Sequence, residues 1–184
     1  MYKCLSYQTV TIENYKITPI RYNDRYDIMN WRNEQIYHLR QNNILTRENQ
    51  DIYFDKVILN NFEQDKPDQI LFSYTIKDEC IGYGGLVHIN WENKNSELSF
   101  IIKTEEEKNN FELHWTNFLK MIKLIAFNNL DLHKIFTYAF DLRPKLYIIL
   151  EKNGFTEEAR LKEHIFINGK YFDVVIHSNL KKNL

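Results

Sequence analysis

The sequence predicts a mixed α/β, or α+β, domain built on a central and mostly antiparallel sheet. Two observations carry that prediction. Short β-rich runs alternate with segments whose apolar residues recur every three or four positions, and polar turns join several of the runs directly. The most telling stretch is Cys80 to Lys103, which reads CIGYGGLVHI, a polar NWENKN of six residues, then SELSFIIK. Two β-rich runs around a polar connection mark a hairpin. Its first run holds glycines at 82, 84 and 85, and its second carries one carboxylate, Glu97, near the start.

In chain order, SYQTVTI (6–12) and YKITPI (15–20) are strand material. Asn23 or Asp24 suits the N-cap of a helix through residue 33, with Ile28 and Trp31 on one face. A second short helix is expected over Glu34 to Leu39. Thr46 caps a third, whose apolar stripe includes Ile52, Phe54, Val57 and Ile58. ILFSYTIK (70–77) alternates as a strand, and Asp78-Glu79 turns it into Cys80–Ile89; Ser96–Lys103 follows. Phe111 to Asn129 reads as a long helix through Phe111, Trp115, Phe118, Leu119, Ile122, Ile125 and Ala126. IFTYAF (135–140) is a short buried strand. Pro144 suits the first turn of a helix to Lys152, which Asn153-Gly154 ends. Phe155–Ile167 and Lys170–Leu180 pair across Asn168-Gly169, a strong hairpin signal.

A length of 184 residues suits a single domain, 1–184, and 43% hydrophobic residues suffice for a core. Twelve Tyr and twelve Phe point to a core or pocket of rings. A net charge of −1 without a Lys/Arg cluster argues against a nucleic-acid partner. The first residues lack the apolar core of a signal peptide, and no run approaches the ~18 apolar residues of a membrane span. Cys4 and Cys80 lie far apart without metal-ligand spacing, which suggests small buried hydrophobes and a reducing, cytoplasmic setting. His38, His114, His133, His164 and His177 show no metal-binding spacing either, so no metal is expected.

Several segments together resemble the GNAT superfamily of acetyl-CoA-dependent N-acetyltransferases, over about residues 15 to 180. ITPIRYNDRYDIMNWRNE is similar to the first strand and helix of the branch that acetylates ribosomal-protein N-termini and amino sugars, including its Trp-Arg-Asn at 31–33. LTRENQDIYFDK is similar to the second helix and IGYGGLVHINWENKNSELSFII to the central hairpin. The closing segment LEKNGFTEEARLKEHIFINGKYFDVVIHS is the most specific. The resemblance implies a seven-stranded twisted sheet in which the strand Glu97–Lys103 and the strand Ile135–Phe140 splay into a wedge. The pantetheine arm of CoA would lie there along the backbone of Phe100, Ile101, Ile102 and Lys103. Its pyrophosphate would meet the loop and helix N-terminus that follow.

That loop departs from the family. Members usually show Arg/Gln-x-x-Gly-x-Gly/Ala, whereas this chain has Thr104-Glu-Glu-Glu-Lys-Asn-Asn-Phe111, with three consecutive carboxylates and no glycine. Glu105–Glu107 would repel a pyrophosphate if they pointed inward, or complement a helix dipole if they did not. Asn109 and Asn110 are expected to take left-handed geometry in place of glycine, with Lys108 offsetting phosphate charge. Arg143 is assigned to the cofactor as well.

By the same resemblance Glu97 is the candidate base for the incoming ammonium, against the reading of an exposed strand carboxylate or a hydrogen-bond acceptor. A backbone N–H near Ile101 would polarise the thioester carbonyl. The leaving-group acid is often a Tyr where this chain has Leu150. Tyr147, one turn earlier on the same face, is the candidate, with Tyr138 behind it. Trp31, Arg32 and Tyr83 are assigned to the acceptor, Arg32 as a bidentate grip on a carboxylate or phosphate. Tyr83 and His88 are five apart, so at most one faces a pocket unless a bulge intervenes.

The expected function is acetyl transfer from acetyl-CoA to a small-molecule primary amine, in particular a nucleotide-linked amino sugar, by direct attack in a ternary complex. A protein N-terminal acetyltransferase of the ribosomal-protein type and a non-catalytic binding module of the same fold are the alternatives. No membrane partner is expected. The last hairpin could pair across a homodimer; otherwise the chain is a monomer.

Overall fold

A computed structural model describes residues 1–181. Eight strands form one sheet: β1 (Val10–Ile12), β2 (Tyr15–Pro19), β3 (Ile70–Ile76), β4 (Glu79–Asn90), β5 (Asn95–Ile102), β6 (Lys134–Phe140), β7 (Thr156–Ile167) and β8 (Lys170–Leu180). Their spatial order is β1-β2-β3-β4-β5-β6-β8-β7. All neighbours are antiparallel except β5 and β6, which run parallel. The eighth strand, one more than the resemblance implied, is the three-residue β1.

The helices are α1 (Arg25–Glu34), α2 (Arg47–Tyr53), α3 (Leu59–Glu63), α4 (Thr104–Asn109), α5 (Phe111–Lys123) and α6 (Lys145–Lys152). A π-helical stretch, Phe54–Ile58, joins α2 to α3, and another, Leu124–Asn129, prolongs α5. The Thr46 side chain accepts a hydrogen bond from the Asn49 N–H and caps α2, as its sequence suggests. The expected helix over residues 34–39 is only a 3-10 turn, Ile36–His38. Asn168 and Gly169 both adopt positive φ, 49° and 80°, which is the turn that matches strand twist in a two-residue hairpin.

Each face of the sheet carries its own apolar cluster. On one, α5 lays Phe111, Trp115, Phe118, Leu119 and Ile122 against Phe72, Leu86, Leu98, Phe100 and Ile102. The rings of Phe100 and Phe118 stack at 3.9 Å. On the other, Ile20, Ile28, Trp31, Phe54 and Ile58 cover Leu71, Tyr83 and Ile101. Trp31 is therefore core, because the helical spacing that pairs it with Ile28 turns both toward the sheet.

Two local features shape the site. After Glu97↔Phe136 the ladder between β5 and β6 stops, so the strands diverge toward the end of β5. In β4, His88 has φ 50° and the register with β5 shifts between Val87 and Asn90. This is a β-bulge: Tyr83 and Val87 pack on one face, Leu86 and Ile89 on the other, and His88 is the extra residue between them.

Candidate active site

The divergence of β5 from β6 opens a cavity of about 560 Å³ that reaches from Glu97 to Arg143 and Leu146. Leu98, Ser99, Phe100 and Ile101 line it from β5, and Thr137, Tyr138, Ala139 and Phe140 from β6. A second cavity of about 280 Å³ adjoins it, sharing Arg32, Gln69, Val87 and Ser99, and is walled by Gln50, Tyr53, Phe54 and Tyr83. The second lies on the α1–α2 side of the sheet, whereas the first runs between β5 and β6 and also meets Trp115 of α5 and Leu146 of α6.

Lys103 N–H donates to the Ile81 carbonyl, so antiparallel alternation turns the backbone groups of residues 97, 99 and 101 toward β4. Those of Leu98, Phe100 and Ile102 face the wedge, and the Ile102 carbonyl there accepts from Gln35 Nε2 at 2.7 Å. Of the N–H groups near Ile101, where a carbonyl-polarising donor is expected, those of Leu98 and Phe100 face the wedge and that of Ile101 does not. Of the four residues assigned along the pantetheine, Phe100 and Ile101 line the wedge. Ile102 is in the core and Lys103 is the N-cap of α4.

Among the described residues, two polar atoms in the wedge are buried without a hydrogen-bond partner, Thr137 Oγ1 and His38 Nδ1. Burying such atoms unpaired is costly, so a polar ligand between the strands is the natural partner. Burial also holds the His38 imidazole neutral, pushing its pKa down to about 3. Amides of a pantetheine arm fit this wall.

At the far end the phosphate loop is absent. Residues 104–109 are helical because the segment lacks glycine and stacks three carboxylates in a first turn, where the dipole favours them. Asn109 lies inside α4 and Asn110 has φ −130°, so neither takes the expected left-handed geometry. Asn109 and Asn110 border a shallow surface hollow and Lys108 is exposed; none of the three lines the wedge. Glu107 turns inward and is buried, 3.3 Å from Lys145 Nζ and 3.8 Å from Arg143 Nη1. The cations at this mouth of the wedge are thus held by an internal carboxylate.

At the near end Glu97 is only 6% exposed. One carboxylate oxygen pairs with Arg40 and the other lies 3.0 Å from His88 Nδ1. Arg40 in turn sits over the Tyr138 ring at 4.8 Å. Arg32 donates to the Tyr83 hydroxyl at 2.6 Å and to Gln41 Oε1 at 2.9 Å. Among the described residues it has no carboxylate partner. Trp31 lines neither cavity.

Tyr147 is displaced from its expected role. Its hydroxyl donates to Asp141 at 3.0 Å, its ring stacks on His177 at 5.0 Å, and it does not line the wedge. Tyr138, on β6, does. Arg40, His38 and Thr137 are site residues that the sequence pattern does not mark. Arg40 follows the 3-10 turn in a segment without periodicity, and Thr137 sits mid-strand, so neither carries a local signal.

Comparison with known proteins agrees with this geometry. A curated spermidine N(1)-acetyltransferase of Vibrio cholerae is 34% identical over 94 residues, covering 51% of this chain and 53% of the relative. The chain thus spans about half the length of the curated relative it matches. The crystal structure of spermidine N-acetyltransferase from Vibrio cholerae in complex with CoA and spermine superposes with a TM-score of 0.78 at 24% identity, over 91% of this chain and 96% of that one. A dodecameric structure of the Vibrio cholerae enzyme in an intermediate state gives 0.73 at 26% identity, over 91% and 94%. The family model described as acetyltransferase (GNAT) domain matches residues 17–176, and the chain belongs to that family.

Proposed function

We propose that the protein is an N-acetyltransferase that uses acetyl-CoA to acetylate a small-molecule primary amine. The observation that carries this is the wedge, where β5 and β6 part beside two orphaned polar atoms and end on the Glu97 cluster. Acetyl-CoA supplies the acyl group as a thioester. Thr137 and His38 would hold the pantetheine amides, and the Leu98 or Phe100 N–H would polarise the carbonyl. Tyr138, which lines the wedge, would return a proton to the sulfur. Arg143 and Lys145 would meet the phosphates once released from Glu107. A thermal-shift titration with millimolar CoA tests the wedge; no stabilisation would sink the enzyme reading and leave a non-catalytic module.

Likeness to the Vibrio cholerae enzymes makes a polyamine such as spermidine the first acceptor to assay. One observation favours a second reading. Arg32 is a cation shared by both cavities that has no carboxylate partner among the described residues, which suits an amine that also bears an anionic group, such as a nucleotide-linked amino sugar. Thiol release with spermidine, an amino-sugar nucleotide and a peptide amine separates these and the N-terminal acetyltransferase. If the anionic acceptor is right, Arg32→Gln raises its KM about tenfold or more and leaves the CoA-dependent thermal shift unchanged.

The dodecameric relative makes an assembly larger than a homodimer the state to expect here, in place of the monomer or homodimer suggested by sequence. The terminal hairpin supports it: Phe166 and Tyr171 are exposed, and their rings contact each other at 4.9 Å. Light scattering measures the mass directly.

A further inference from the structure

We infer that His88, oriented by Glu97, is the catalytic base that takes the proton from the acceptor ammonium; this rests on the acetyltransferase reading above. The geometry separates the two residues. Glu97 is buried, and both of its oxygens are engaged, by Arg40 and by His88 Nδ1. Each oxygen of this buried carboxylate is committed to an internal partner, and the exposed end of the pair is His88. An ionised carboxylate only accepts hydrogen bonds, so the ring nitrogen facing it carries the hydrogen. That fixes the tautomer and leaves Nε2 with its lone pair. Among the described residues only Nδ1 of His88 has a hydrogen-bond partner. The His88 side chain is 68% exposed and lines the larger cavity.

The backbone supports the same assignment. His88 is a non-glycine residue at φ 50°, in a bulge that turns it out of the strand's alternation and onto Glu97. Conformations of this kind cost free energy and are concentrated at functional sites. Regular pairing would have sent residue 88 to the α5 face, into the core.

His88 Nε2 takes one proton from R–NH₃⁺, giving R–NH₂ and an imidazolium held by the Glu97 carboxylate. The amine lone pair forms the N–C bond to the acetyl carbon as the C–S bond breaks. The second proton lost from nitrogen ends on the thiolate, and His88 returns its own to solvent. Glu97 is then a positioning residue, and Arg40 keeps its other oxygen occupied. The charged groups around the imidazole are Glu97 on β5 and Arg40 after the 3-10 turn, with Arg32 on α1 and Asp68 before β3 lining the same cavity.

His88→Asn is the discriminating variant, because Asn tolerates left-handed backbone and can still donate to Glu97. For whichever amine the wild type acetylates, kcat/KM at neutral pH is expected to fall by about 100-fold or more. The acidic limb of the pH profile should give way to a rate that climbs with the free-amine fraction, with the CoA-dependent thermal shift unchanged. A loss below threefold with the limb intact overturns the proposal. Ring ¹⁵N NMR provides a reading independent of turnover: His88 should be the Nδ1–H tautomer in the wild type and lose that preference in Glu97→Gln. An Nε2–H ring in the wild type overturns the proposal too. A wild type that binds CoA but acetylates no amine overturns the acetyltransferase reading instead, while the tautomer still decides the dyad.

Discussion

Tyr147 and Tyr138 show how one hydroxyl's neighbours set what it can do. Burial first, then the hydrogen bond to Asp141, pushes the Tyr147 pKa up, so this phenol is a weaker acid than an ordinary tyrosine. It is also committed to a network in which Arg160 joins Asp141 to Asp173. Tyr147→Phe should leave kcat within about twofold and cost about 1 kcal/mol of stability, the usual net worth of one hydrogen bond. Tyr138→Phe, in the wedge, should lower kcat about tenfold through loss of acid catalysis. Parallel thiol-release assays and urea unfolding of the two variants distinguish them; equal kinetic losses would return Tyr147 to the site.

At the scale of elements, α4 and β4 set the walls of the wedge. In α4, Glu107 holds Arg143 and Lys145, and burial pushes the Arg143 pKa down. Glu107→Gln leaves that guanidinium buried without its partner, which destabilises the ligand-free protein. The same change frees two cations for phosphate. The expected result is a lower melting temperature without ligand and a larger stabilisation by CoA, both read in one thermal-shift series. In β4 the glycines allow neighbouring backbones to close in. A Cβ at Gly84 would stand 2.3 Å from the Ser99 carbonyl oxygen, and one at Gly85 2.0 Å from that of Ile70. Because the obstructing atoms are backbone, Gly84→Ala should push β4 off β5 and cost about 2 kcal/mol or more in equilibrium unfolding.

For the molecule as a whole, burial of histidine side chains makes stability depend on pH. His38 is held down to about 3 from an ordinary 6.5, by burial first and then by the Arg143 charge. Burial also lowers His177. Between the two His38 values the unfolded chain binds a proton that the folded chain does not. Stability is therefore full above the unfolded value and is lost as pH falls toward the folded one. By pH 5 the loss from His38 alone is about 2 kcal/mol. Urea unfolding at pH 7 and pH 5 measures it, and His38→Gln should remove part of the difference.

Much of this architecture is written in local pattern. The three- and four-residue spacing of Phe111, Trp115, Phe118 and Ile122 determined α5 and its buried face, and Asn168-Gly169 determined the last hairpin. The runs around Asn90–Asn95 determined the hairpin that carries Glu97. These features depend on neighbours in sequence, so a single chain displays them. Other features were decided only by tertiary structure. Arg40 meets Glu97 across 57 residues, and the wedge exists because β6 leaves β5 after three paired positions. The bulge that brings His88 to the same face as Tyr83 is invisible to a strict two-residue alternation. The segment 104–109 is helical for local reasons, but Glu107 turns onto Arg143 and Lys145 only because those cations arrive from a distant part of the chain. Periodicity specified which face each element buries; long-range packing specified which polar groups meet between those faces.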